Sequence, residues 1–239
     1  MLLDGLTVIL VATRFPENIG MVARACANMG CPKVVLVDPE HFDFKKASPL
    51  ATPKGLPLLE KITVTKTLDI ALQHSTHAYG TTARTGGWRK EIYTPHAISP
   101  RIARQLQQGD KVALVFGPED RGLNNQEIIH CHELITIPTD QASSLNLAQA
   151  VLIVLYEIAQ AKRTTIKLPV HSSRTVSYAE LDILLRTFKE TLLKLDYLHG
   201  DNVDYFFQVW KSMFSRMELK QHEFSALMGL CRQINNKII

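Results

Sequence analysis

Two hydroxyls and a carboxamide, Ser143, Ser144 and Asn146, stand together in a polar loop just before a long apolar segment. If that segment is a helix they lie at its N-terminus, where side-chain oxygens accept the unpaired backbone N–H groups. A ligand-binding cleft at a strand end would use the same groups, and these residues alone leave both readings open. A second pair, Gly20 and Arg24, is four residues apart, on the side away from a stripe made by Ile19, Val22, Ala23, Cys26 and Met29. Helical side chains lean toward the N-terminus, so a guanidinium at 24 reaches back over position 20 toward free N–H groups. With a glycine allowing close approach, that arrangement can hold a phosphate; the alternative is a solvated surface arginine. A third stretch, Gly117-Pro118-Glu119-Asp120-Arg121-Gly122-Leu123, sets carboxylates inside a glycine-bounded turn. In a fourth, Trp88, Arg89, Lys90 and Tyr93 mix cations with aromatic rings, which suits RNA contacts and equally a mobile lid.

Several common chemistries lose support. No G-x-G-x-x-G or Walker loop is present, and no G-x-S-x-G elbow makes Ser144 a hydrolase nucleophile. His130-Cys131-His132-Glu133 looks like a metal set, but adjacent residues cannot wrap a tetrahedral ion, so no metal is expected. The 239 residues can bury one sizeable core, and 46% hydrophobic with 21% charged residues is an ordinary globular composition. A net charge of +4 permits a polyanionic partner without demanding one. The four cysteines are spread out with no CxxC pair, as expected in a reducing interior. The N-terminal apolar run lacks a basic leader and no run reaches transmembrane length, so a cytoplasmic protein without membrane contact is expected.

The elements that must position these residues follow from hydrophobic periodicity. Leu6 to Ala12 reads as a buried strand, Ile19 to Met29 as a helix stopped by Gly30, and Val34 to Val37 as the next strand, predicting a parallel sheet. Phe42 to Leu59 reads as loop and short helix, punctuated by Pro49, Pro53, Gly55 and Pro57. Further strands are expected at Ile62 to Val64, Thr76 to Tyr79, Val112 to Phe116 and Leu134 to Ile137, with helices at Leu68 to Gln73, Ser99 to Gln107 and Asn125 to Cys131. From Leu147 to Ala159 the only polar residues are Gln149, Tyr156 and Glu157, which predicts a helix buried nearly all round. Loops beginning at Thr13, Thr81, Gly117 and Thr139 follow four strands; if those run parallel, all four loops gather at one sheet edge, where open α/β sheets bind ligands. Residues 163–176 have a linker's composition. After them come helices, led by the capping box Ser177-x-x-Glu180 and continuing at Val203 to Met213 and Phe224 to Ile234. This tail is only slightly more basic than the rest, so charge alone does not make it an RNA-binding module.

Three passages in order carry a family resemblance: Asn18-Ile19-Gly20-x-x-x-Arg24, Leu114-Val115-Phe116-Gly117-Pro118-Glu119-x-x-Gly122-Leu123, and Ile137-Pro138 leading to Ser143-Ser144-Leu145-Asn146-Leu147-Ala148. Over about Leu6 to Ala161 the chain resembles the SpoU/TrmH branch of the SPOUT-class RNA methyltransferases. Gly80-Thr81-Thr82-Ala83-Arg84 and the helical tail are most similar to the TrmJ-type members, which methylate a ribose 2′-hydroxyl in the tRNA anticodon loop.

The resemblance implies an α/β fold with a deep trefoil knot, a parallel sheet flanked by helices over residues 1–162, and a small all-helical C-terminal domain at 177–239. Such knots are rare exceptions among folds. It implies S-adenosylmethionine held by Thr81, Thr82, Ala83, Gly117, Glu119, Gly122, Ile137, Ser143, Ser144 and Leu145. It gives catalytic roles to Arg24, Ser144, Asn146 and Asn18, and RNA contacts to Arg24, Arg84, Arg89 and Lys90. It also implies a homodimer with the site completed across the interface, tRNA as partner and no DNA. The expected reaction is 2′-O-methylation of cytidine or uridine at tRNA position 32; the rivals are a ribosomal-RNA methylase of the same fold and a non-catalytic RNA-binding or assembly protein that retains the knot. A guanidinium pKa above ~12 leaves almost no neutral form, so an electrostatic role suits Arg24 better than that of general base. Glu119 could accept a proton or brace its loop.

Overall fold

The computed structural model describes residues 1–83, 91–140, 145–164, 173–200 and 202–238. Among these residues seven strands, all parallel, form one sheet in the order β3-β2-β1-β6-β4-β7-β5. They are β1 Leu6–Val11, β2 Lys33–Val37, β3 Thr63–Thr65, β4 His77–Thr81, β5 Ile92–Tyr93, β6 Val112–Phe116 and β7 Glu133–Ile135. The helices are α1 Pro16–Met29, α2 Phe44–Glu60, α3 Leu68–Leu72, α4 Pro95–Gln107, α5 Asn125–Ile129, α6 Leu147–Thr164, α7 Tyr178–Lys194, α8 Val203–Arg216 and α9 Gln221–Lys237. Along β1 the side chains alternate: Val8 and Leu10 join the core under α1, α2, α4 and α6, while Ile9 and Val11 join the core under α3, α5 and Tyr178. Both faces are covered, which is why the strand reads as an apolar run interrupted only by Thr7.

The strands that carry the four polar loops, β1, β6, β4 and β7, are neighbours in the sheet. Parallel register puts the loops at one edge, as their spacing predicts. β7 enters a slot between β4 and β5, both earlier in the chain. Its onward path through 141–144, and so the threading expected of the knot, lies outside the described residues.

Three expectations are corrected. Phe42 to Leu59 is chiefly helix: α2 is two helical pieces joined at Thr52 (φ 60°, ψ 165°), with Pro53 opening the second, where its missing N–H costs nothing. Tyr93, assigned to the basic loop, belongs to the two-residue edge strand β5. And α6 is not buried all round, since Leu152 and Tyr156 are 38% and 46% exposed. The four cysteines are free and buried, and no helix among the described residues is long and apolar enough to cross a membrane.

The tail helices enclose their own core around Leu184, Leu192, Phe207 and Phe214. They also dock on the sheet. Tyr178 donates its backbone N–H to Ser75 O at 2.6 Å and its hydroxyl to His130 O at 2.8 Å, and Gln105 donates to Glu218 at 2.9 Å. Beneath this contact His77 is buried, with Glu218 Oε1 3.6 Å from Nε2 and Asp110 Oδ2 3.9 Å from Nδ1. Burial outweighs those carboxylates and, with Lys220 and Arg101 nearby, lowers its pKa from 6.5 to about 3. The unfolded chain therefore binds a proton on this ring between those values and the folded chain does not, so the ring's contribution to stability falls as pH drops below about 6.5 and is constant above it. The loss is on the order of 3 kcal/mol by pH 4. Asp110, raised by burial, acts in the opposite sense and is present in wild type and variant alike. In urea unfolding, His77→Gln should lose less stability than wild type between pH 7 and pH 4.5; equal losses would contradict this account.

Candidate active site

Three loops meet around one cavity of about 540 Å³, within the usual range for a small-molecule site. Its floor is the ends of β4, β6 and β7. Of the expected cofactor residues, Thr81, Thr82 and Ala83 line it after β4, and Gly117, Glu119 and Gly122 after β6. Ile137 and Leu145 close the side toward α6. Ser143 and Ser144 lie outside the described residues, as do Arg84, Arg89 and Lys90. Sequence reasoning missed Phe116, Leu123, Ile135, Leu147 and Ala150, which give the cavity its apolar wall. Plain apolar residues in strand and helix carry no signal that separates a pocket wall from core.

The glycine-bounded loop needs its two glycines for different reasons, Gly117 for space and Gly122 for backbone conformation. A Cβ on Gly117 would stand 2.3 Å from the Gly122 carbonyl carbon and the Leu123 nitrogen, so the loop can double back only with glycine there. Gly122 itself has φ +64°, in the left-handed region that glycine favours.

Beside the cavity a hydrogen-bond chain joins three segments remote in sequence. Asn146 caps α6: its Oδ1 accepts from Ala148 N at 2.9 Å and Gln149 N at 3.4 Å. Its Nδ2 donates to Asn18 Oδ1 at 2.9 Å. Asn18, buried at the start of α1, donates in turn to Glu119 Oε1 at 2.6 Å. Glu119 Oε2 accepts the Arg14 backbone N–H at 3.2 Å. Both carboxylate oxygens of Glu119 are thus engaged, which fits a brace better than a proton acceptor. The capping reading of Asn146 is correct, and the cap stands between Leu145 and Leu147, which line the cavity.

Arg24 is exposed on α1, six residues beyond Asn18 or about 9 Å along the axis, and does not line the cavity. Among the described residues its guanidinium has no hydrogen-bond or ion-pair partner. Its expected relation to Gly20 is corrected: a Cβ on Gly20 would stand 2.0 Å from Ala47 O, so α2 fills the space that was read as an opening for phosphate.

Residues 5–156 match the model of the SpoU rRNA Methylase family, nearly two thirds of the chain. The chain belongs to the SpoU rRNA Methylase family. Within it, similar relatives are named tRNA (cytidine/uridine/adenosine-2'-O-)-methyltransferase TrmJ in Pseudomonas aeruginosa and tRNA (cytidine/uridine-2'-O-)-methyltransferase TrmJ in Pectobacterium atrosepticum. The first is 31% identical, covering 96% of this chain and 93% of the relative. The second is 30% identical, covering 98% of each. The crystal structure of TrmJ from Z. mobilis superposes with a TM-score of 0.82 at 27% identity, covering 96% of this chain and 98% of that one. The likeness to these SpoU-family proteins extends through the C-terminal helices.

A further residue near the cavity also carried no sequence signal. Arg14, after β1, bonds Glu40 at 3.1 Å and Asp120 at 2.8 Å, tying the loops after β1, β2 and β6 at the cavity mouth. These pairs are exposed and worth about 1 kcal/mol together. Arg14→Ala keeps the backbone bond to Glu119 but frees the Asp120 side of the loop; if the cavity holds S-adenosylmethionine, as the family resemblance implies, affinity for it should fall by up to about five-fold. Calorimetric titration measures this, and an unchanged dissociation constant would remove Arg14 from the site.

Proposed function

We propose that the chain transfers a methyl group from S-adenosylmethionine to a ribose 2′-hydroxyl of tRNA, at a cytidine or uridine of position 32, as a cytoplasmic homodimer. The observation that carries the reading is the Asn146–Asn18–Glu119 chain, which joins all three family motifs at the rim of a cavity of suitable size. The cavity residues fit the cofactor: an apolar wall of Ile135, Ile137, Leu147 and Ala150 can take a flat ring, and the Thr81–Ala83 and Gly117–Gly122 loops offer polar backbone and side-chain groups. Bound there, S-adenosylmethionine would supply an electrophilic methyl on a cationic sulfur.

This chain's residues then have four tasks. The doubled-back Gly117 loop and the apolar wall exclude water from the donor side. Asn18 and Asn146, with their polar groups mutually engaged, hold α1 and α6 in register as positioning residues. Ser144, before the α6 cap, orients the hydroxyl. Arg24 grips the phosphate beside the target and stabilises charge developing on the 2′-oxygen as the hydroxyl proton passes to solvent water. Because Arg24 stands apart from its own chain's cavity, it is proposed to serve the site of a second copy, and the exposed Leu152 and Tyr156 on α6 suit that interface. Residues 1–162 are proposed as the cofactor-binding domain, with 177–239 contributing to RNA binding or dimer stability.

The test is to incubate the purified protein with labelled cofactor and either tRNA or ribosomal RNA, map the ribose methylations, and measure mass by sedimentation. Methylated tRNA from a dimer is expected. Methylation of ribosomal RNA alone would favour that substrate instead, and failure to bind the cofactor would favour a non-catalytic role.

A further inference from the structure

Resting on that reading, we infer that α2 is a phosphate-binding surface for the tRNA strand, with Lys45, Lys46 and Lys54 gripping the backbone beside the nucleotide that is methylated.

The packing of α2 on α1 places these lysines. Its first piece meets α1 where Ala47 O faces Gly20; its second meets α1 where Gly55 approaches the Arg24 nitrogen, 3.0 Å from an added Cβ. Lys46 and Lys54 are the immediate sequence neighbours of those two contacts, so the two pieces bracket the Gly20–Arg24 turn with a lysine on each. All three lysines are exposed, and among the described residues none meets a carboxylate. The nearby acids are committed elsewhere. Asp43 caps α2, accepting from Lys45 N at 2.9 Å and Lys46 N at 3.3 Å, and Glu40 is paired with Arg14. Within α2 the only acid is Glu60, at its far end; on α1 it is Glu17, in the first turn. With Arg24, four cations lacking carboxylate partners thus lie along one α1–α2 ridge.

Exposed cations grouped on this ridge, with no carboxylate partner among the described residues, are suited to a polyanion, whose binding releases counterions. The ridge carries few groups suited to base edges, so it should position the strand without reading its sequence.

The test compares wild type with the triple variant Lys45→Gln, Lys46→Gln, Lys54→Gln, using an unmodified transcript of a tRNA that wild type methylates. A control carries Lys33→Gln and Lys111→Gln, at the starts of β2 and β6 and so at the opposite sheet edge. The triple variant should raise the KM for tRNA about ten-fold and lessen the slope of log affinity against log salt by about 2, at roughly 0.7 per lost phosphate contact. Its dissociation constant for S-adenosylmethionine should match wild type, and the control should match wild type in every respect. An unchanged salt slope and KM would overturn the α2 surface while leaving the methyltransferase reading intact. Equal losses in the control would show diffuse charge attraction and overturn it too. Wild type that neither binds nor methylates any tRNA would overturn the proposed function, and the surface with it.

Discussion

Replacing Arg24 with alanine is expected to lower methyl transfer to tRNA by about 100-fold or more, the scale of losing one preorganised charge-stabilising group. Affinity for S-adenosylmethionine should stay within about two-fold, because Arg24 does not line the cavity. Stability should hardly change: the side chain is exposed and unpaired among the described residues, while the backbone that Gly55 packs against is retained. Arg24→Lys keeps the charge but not the planar two-pronged donor, so it should remain strongly impaired. If the arginine serves the second copy's cavity, a heterodimer of Arg24→Ala with a chain disabled in its own cavity should retain one working site. The chain with its cavity intact would receive Arg24 from the disabled one. Single-turnover methylation of a transcript, run beside cofactor titration, measures each outcome. Near-normal turnover in Arg24→Ala would make the residue a solvated surface arginine and remove the main electrostatic element from the mechanism.

What could be read from the sequence follows from how far apart the interacting partners lie. The strand cores were legible because Val8 to Val11 and Val112 to Phe116 are continuous apolar runs whose neighbours are set by local rules of parallel sheets. The edge on which the site sits followed from the four polar loops, since a parallel sheet leaves them no other place to gather. Asn146 was legible as a cap because its partners, Ala148 and Gln149, lie two and three residues on. The bond from Asn18 to Glu119 spans 101 positions and the one from Asn146 to Asn18 spans 128, and no local pattern encodes either. Arg14 likewise finds Asp120 only through the fold. The helix α2 was obscured by its own prolines, which read as breaks; the chain absorbs one of them by kinking at Thr52 and starting a new helical piece at Pro53.

Gly20 separates the sequence reading from the structural one most sharply. Were it an opening for phosphate, Gly20→Ala would weaken RNA binding and, by helix propensity, stabilise α1 by up to about 1 kcal/mol. In the structure the new methyl would lie 2.0 Å from the Ala47 carbonyl oxygen, far inside van der Waals contact. That oxygen belongs to helix backbone, so relief requires α2 to move away from α1 as a unit, and overpacking of this kind costs about 1–3 kcal/mol. Since the overlap approaches the severe end, the cost should exceed the propensity gain, leaving a net loss of about 1–2 kcal/mol and a melting temperature lower by about 3–8 °C. Gly229, in α9, is the matched control: an added Cβ there meets nothing within 4 Å, so Gly229→Ala should gain the propensity term and raise the melting temperature. Opposite signs for two identical substitutions in two helices would show that backbone contact between α1 and α2, not ligand access, is why position 20 is glycine. A stabilised Gly20→Ala with weakened tRNA binding would restore the phosphate reading. Displacement of α2 would also carry Lys46 and Lys54 away from Arg24, so the destabilised variant should lose tRNA affinity as well, but together with its melting temperature rather than independently of it.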